Sequence, residues 1–249
     1  MVEESKIRSF LVLAPGEQAF AAALASGADA LVLDLRGDFA PAREPAAALL
    51  RLPRPPGLRL YARVAPLSCA AIDADLAAVV AAGADGVFLP EACGGPSIQH
   101  LAAKLAVQEA ECGRPDGATR IIALATQTPA AIFALGRYAG ASARLEALAF
   151  DVEPLRRALG AEPASLASEA LASTCPASPF ALARAGLLLG AAAAGVAAID
   201  GPFAALADAR GLIAECRAAR RDGFSAKLAL DGAQIPPINQ TFVGARPAL

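Results

Sequence analysis

Arg63 stands near the end of the run Leu58–Val64, four residues after Arg59, and a guanidinium set between Ala62 and Val64 needs an anionic partner, which its planar fork can hold at two points. Asp34 with Arg36, Pro90-Glu91, Gln127-Thr128, Asp151 with Glu153, Asp200 and Asp231 stand at the ends of similar runs, and Pro15 follows the first of them. Groups of both signs gathered at strand ends suit the binding of a small anion and the stabilisation of charge that develops on an oxygen. Asp151 and Glu153, two residues apart, could together hold a divalent cation; alternatively they cap the next helix or pair with Arg156 and Arg157. Arg36 reads either as a fixed cation beside Arg63 or as a solvated charge facing Asp38.

Other chemistries find little support. The one histidine, His100, falls in a helical stretch and reads as a surface residue, so neither a histidine triad nor a zinc site is expected. Ser9 and Thr128 have no general base in view. Five scattered cysteines, Cys69, Cys93, Cys112, Cys175 and Cys216, form no CxxC pair and read as reduced, mostly packing thiols of a cytoplasmic protein. A net charge of -2, no basic run and no Trp give nucleic acid little to hold. The most apolar window, Ala185–Ile199, is too short to span a bilayer and is flanked by Arg184 and Asp200, so no membrane association is expected. Met1–Ser9 carries Glu3, Glu4, Lys6 and Arg8 and shows no secretion signal.

These groups need a scaffold, and the chain has the means to build one. It has 249 residues, 56% of them hydrophobic and 18% charged, with a mean hydropathy of +0.47, which excludes a disordered chain. Strands are expected at Ile7–Leu13, Asp29–Leu35, Leu58–Val64, Asp85–Leu89, Arg120–Thr126, Leu145–Asp151, Val196–Asp200 and Ala226–Leu230. Helical periodicity marks Glu17–Ala25, Ala70–Ala82, Ile98–Glu111, Pro129–Tyr138, Pro179–Ala194 and Leu206–Arg221. Gly27, Gly83, Gly195 and Gly223 each stand where a helix ends and a strand begins, which argues for one repeated unit. Eight apolar strands with helical crossovers predict an α/β fold, a single (β/α)8 TIM barrel over residues 1–249, with a doubly wound open sheet as the alternative. In a barrel the strand-end residues named above would share the C-terminal mouth.

The ordered landmarks resemble the citrate lyase β-subunit family of the HpcH/HpaI aldolase group. Arg8-Ser9-Phe10-Leu11-Val12-Leu13-Ala14-Pro15-Gly16 resembles its RS-x-L-x-x-PG opening, and Ser26–Leu35 resembles SGADA-x-x-LDLED. Arg63-Val64, Gly83–Pro90, Thr128-Pro129 and Gly223–Leu228 with Ala233-Gln234-Ile235 follow in order. The resemblance implies a barrel of the phosphoenolpyruvate/pyruvate-binding type, a homo-oligomer (trimer or larger), that makes or breaks a carbon–carbon bond between a 2-oxo acid and an acyl unit carried as a CoA thioester. It implies an arginine on the oxo-acid carboxylate, matched by Arg63, and a second-strand aspartate, matched by Asp34. On this footing Arg63 and Asp34 are the catalytic candidates, and Arg63, Arg36, Pro15, Gln127 and Thr128 the substrate-binding ones. It also implies Mg2+ held by a Glu and an Asp, but those positions are Gln127 and Pro154 here, leaving Asp151 and Glu153 as replacement ligands. Other departures are Arg36-Gly37 for ED, Glu91 for Lys, Asp231 within the IHPAQ landmark, and a shortened region after the eighth strand. Two functions follow: a carbon–carbon lyase with an atypical metal site, or a catalytically degenerate barrel (pseudoenzyme) with a ligand-binding, regulatory or scaffolding role.

Overall fold

The computed structural model describes residues 7–36, 42–161 and 178–243; Asp38 and Cys175 lie outside them. The strands are β1 (Ser9–Leu13), β2 (Ala30–Asp34), β3 (Arg59–Arg63), β4 (Gly86–Leu89), β5 (Arg120–Leu124), β6 (Leu145–Ala149), β7 (Ala197–Asp200) and β8 (Ala226–Ala229). Each pairs in parallel with the next, and β8 returns to β1 through Ser9↔Lys227 and Phe10↔Leu228. The sheet is therefore closed, which rules out the open-sheet alternative.

The helices are α1 (Glu17–Ala25), α2 (Arg43–Leu50), α3 (Ile72–Ala81), α4 (Gly95–Glu111), α5 (Pro129–Phe133), α6 (Glu153–Ala158), α7 (Pro179–Ala194), α8 (Ala209–Asp222) and α9 (Ile235–Thr241). Gly195 and Gly223 end α7 and α8 with φ of 67° and 117°, the left-handed conformation that an L side chain resists. Gly27 and Gly83 do the same at the first and third helices. Three helices escape the periodicity reading. The α2 and α6 helices are short, and α9 carries Pro236 and Pro237 in its first turn, where the missing amide N–H groups cost no helical hydrogen bond.

Strand alternation sorts the core into two layers. Phe10, Val32, Tyr61, Phe88, Ile122, Leu124, Ile199 and Leu228 fill the barrel, with Phe10, Tyr61 and Phe88 in mutual edge-to-face contact at centroid distances of 5.5–5.8 Å. Leu31, Leu33, Leu60, Val87, Leu89 and Leu148 face the helices instead. No helix of the described residues is long and apolar enough to cross a membrane.

The same alternation takes Asp200 away from the mouth. Asp200 and Lys227 are in register, next to the inward-facing Ile199, Ala226 and Leu228, and so point into the helix layer. There the fully buried Lys227 Nζ donates to Asp200 Oδ2 at 2.7 Å, to the Gly201 carbonyl at 2.7 Å and to Glu215 of α8. Arg184 of α7 completes the network by binding Asp200 and Asp222. A buried cation with every proton paired serves packing of α7 and α8. The cysteines also depart from expectation: Cys216 is buried, but Cys69, Cys93 and Cys112 are exposed.

Candidate functional site

Asp34 and Arg63 are register partners at the C-terminal ends of β2 and β3. Each lies two residues beyond an inward-facing side chain, Val32 and Tyr61, so both aim into the mouth. The Arg63 side chain is 12% exposed. Its Nη1 lies 3.7 Å from Asp34 Oδ2, and its Nη2 donates to Asp151 Oδ2 in a short, direct hydrogen bond. Its Nε is buried and has no hydrogen-bond partner among the described residues. Burial pulls the Arg63 pKa below its ordinary value, and nearby Arg36 adds to this, while Asp151 and Asp34 oppose it.

Asp34 is shared. Arg36 grips it through Nε at 3.1 Å and Nη2 at 3.0 Å, and the Arg36 amide N–H donates to it at 3.1 Å. Asp34 thus stands between two guanidinium groups, and Arg36, exposed at its outer end, faces Asp34.

Asp151 follows β6 and is fixed through its backbone as well as its carboxylate. Its N–H donates to Thr126 Oγ1 at 2.9 Å, and the Thr126 hydroxyl donates to its carbonyl at 3.1 Å. Gln127 Nε2 donates to Asp151 Oδ2 at 2.6 Å, while Gln127 Oε1 accepts the Glu91 N–H at 2.8 Å. The amide has one sensible orientation, because the reverse would set its oxygen against the carboxylate. Glu91 presents that N–H from a left-handed backbone, φ 54°, unusual for a residue with a side chain. Thr126 and the Glu91 amide are the contributors that reading the sequence missed. Thr126 lies 25 residues from its partner, and no local pattern marks it.

The remaining candidates are spread around this centre. Thr128 Oγ1 accepts the Ala131 N–H at 3.1 Å and caps α5. Pro15 is half-buried just beyond β1. Asp231 is exposed and accepts the Ala233 N–H at 2.8 Å. Glu153 opens α6 with its side chain 3.5 Å from Arg156, and Pro154 occupies that helix's first turn.

A divalent cation wants several oxygen ligands, preferably charged. The Gln127 oxygen is taken by Glu91, Pro154 has no side-chain donor, Glu153 is turned to Arg156, and Asp151 is held by Arg63 and Gln127. No group of three His, Cys, Asp or Glu side chains among the described residues could hold a metal. The residues present therefore do not fit Mg2+.

Comparison with known proteins gives the lineage. The citrate lyase subunit beta of Haemophilus influenzae is 27% identical over 247 residues, covering 95% of this chain and 80% of that protein. The Escherichia coli protein of the same name is 29% identical over 168 residues, 68% of this chain and 52% of that protein, so the match spans about half its length. The crystal structure of CitE from Mycobacterium tuberculosis with magnesium, acetoacetate and coenzyme A superposes with a TM-score of 0.76 at 24% identity. That match covers 96% of this chain and 82% of that one, a likeness of fold. The profile of the HpcH/HpaI aldolase/citrate lyase family matches residues 9–232, an extent that takes in all eight strands and the whole mouth, and the chain belongs to that family.

Proposed function

We propose that the barrel is a carbon–carbon lyase of the citrate lyase β-like kind, acting on a small 2-oxo acid and its condensation product with an acyl-CoA. The observation that carries this reading is Arg63, a buried guanidinium at the mouth whose partners are carboxylates and whose Nε is unpaired. Arg63 would orient the substrate carboxylate. Arg36, set beside it across Asp34, would add positive potential where charge develops on the carbonyl oxygen as the carbon–carbon bond breaks. Family membership supports the reaction class, and the acetoacetate and coenzyme A of the mycobacterial relative support the ligand class.

A second reading has its own observation. Gln127 stands where the family's metal glutamate is expected and commits both ends of its amide to the protein, which favours a barrel that binds without turning over. One experiment separates the two. The purified chain is incubated with acetyl-CoA and oxaloacetate or pyruvate, with and without Mg2+, and the adduct and its cleavage are followed by mass spectrometry while calorimetry measures binding. Turnover supports the lyase. Binding without turnover supports the second reading, and the absence of both overturns each.

The same proposal places the protein in the cytoplasm as one barrel domain over residues 1–249 and as a homo-oligomer, trimer or larger. Support for assembly comes from Leu182 and Leu189, seven residues apart on α7 and 65% and 73% exposed, and from Phe133, 90% exposed on α5, a helix that contacts α7. Sedimentation of the native chain and of Leu189→Glu tests it, with a smaller species expected for the variant.

A further inference from the structure

We infer that Asp151 is an internal occupant of the carboxylate subsite on Arg63, so that an acidic ligand binds there only by displacing the protein's own carboxylate. This rests on the reading of the mouth as a site for a small carboxylate.

The geometry of the Arg63 fork carries the inference. The side-on edge of a guanidinium presents Nε–H and one Nη–H in parallel, a spacing that matches the two oxygens of a carboxylate. Asp151 satisfies half of that edge. Its Oδ2 receives Nη2, whereas Nε stays buried and unpaired. The reason lies in how Asp151 is held. Thr126 ties its amide and its carbonyl, and Gln127 pulls the same Oδ2 from the other side at 2.6 Å. Shared between Arg63 and Gln127 at Oδ2, the Asp151 carboxylate leaves Nε without an oxygen.

A carboxylate arriving from solvent has no such tether. It can span Nε and Nη2 together and relieve the orphaned donor, a gain that Asp151 does not provide. Asp34 is no competitor for that edge, because it lies 3.7 Å from the opposite nitrogen, Nη1, and is gripped at both oxygens by Arg36. Asp151 thus keeps the buried guanidinium neutralised when the mouth is empty and sets the threshold a ligand must exceed. Of small carboxylates, a 2-oxo acid suits the exchange best, since its keto oxygen can accept the Gln127 Nε2 proton that Asp151 releases.

The test is calorimetric titration of oxaloacetate and of pyruvate, in metal-free buffer, into the native chain and into Asp151→Asn, Asp151→Gly and Arg63→Gln/Asp151→Asn. Asparagine keeps the shape and an acceptor oxygen but removes the charge that competes; glycine removes the occupant altogether. Each single variant is expected to bind about tenfold tighter than the native chain or better, the range in which loss of one competing charge-assisted hydrogen bond falls. The double variant is expected to lose the gain. Equal or weaker binding by both single variants overturns the inference while leaving a carboxylate-binding mouth in place. A gain that persists without Arg63 also overturns it. No binding by any of these proteins, each checked for cooperative unfolding, overturns both the inference and the reading beneath it.

Discussion

Gln127 holds the Asp151 carboxylate at 2.6 Å with its amide nitrogen, across 24 residues of sequence, while its oxygen receives the Glu91 N–H at 2.8 Å. This one amide organises the mouth. It links the loop after β4 to the loops after β5 and β6, and it holds Asp151 where Arg63 meets it.

Replacing this amide by a carboxylate should expose what it does. In Gln127→Glu the donor facing Asp151 becomes a second negative charge, and two carboxylates at hydrogen-bond distance do not both ionise without a proton or a cation between them. The variant is expected to lose about 1–3 kcal/mol of stability at neutral pH in metal-free buffer, and to regain part of it when millimolar Mg2+ is added. Thermal unfolding with and without Mg2+ is the measurement. An equal Mg2+ response in the native chain would contradict the assignment.

Removing the cation should cost more than removing the amide. Arg63→Met leaves the nearly buried Asp151 carboxylate with Gln127 as its one side-chain donor among the described residues, and breaking a buried pair from one side costs about 3–5 kcal/mol. Urea denaturation should show that loss. Adding Asp151→Asn to Arg63→Met should recover part of it, because the stranded charge disappears.

Acid should also weaken a pair remote from the mouth. Burial alone would raise the Glu109 carboxyl, but the Arg144 fork at 2.7 and 2.8 Å and the N–H groups of Thr119 and Gly117 outweigh it and hold the pKa at about 2, down from 4.5. The unfolded chain therefore takes up this proton at higher pH than the folded one. The stabilisation is fully present above pH 4.5 and is lost as pH falls towards about 2, roughly 3 kcal/mol in all. Glu109→Gln should be less stable than the native chain at pH 7, with the difference shrinking across that interval in a pH series of chemical denaturation.

Helix propensity and packing pull Gly190 in opposite directions. Alanine is the better helix former by about 1 kcal/mol, but a Cβ at Gly190 of α7 would sit 2.3 Å from the Leu135 carbonyl oxygen. That oxygen belongs to backbone in the turn after α5 and has little room to move. Gly190→Ala is expected to destabilise by about 1–3 kcal/mol, as overpacking does, and a raised thermal midpoint would refute the contact.

The sequence by itself determined the architecture, because the signals that specify a parallel barrel are local. Apolar runs a few residues long, helical periods between them and glycines at the joints depend on near neighbours. The strand cores accordingly lie inside the expected spans, and α1 and α7 match their limits. The strand ends are shorter where flanking residues take side-chain partners instead, as Asp29 does with the guanidinium of Arg8. Arg63 was legible for a similar reason: a charge among apolar neighbours at the C-terminal end of a strand is conspicuous without any fold.

What the tertiary structure decided is which strand ends meet and which way each one faces. Asp200 and Asp34 look alike in sequence, yet alternation sends Asp34 into the mouth and Asp200 onto Lys227 in the helix layer. Asp151 and Glu153 read as a pair, yet the chain turns Glu153 to Arg156 and gives Asp151 to Arg63, 88 residues away. Contacts at such separations are set by closure of the barrel. Closure depends on every strand at once, and no short segment carries its record.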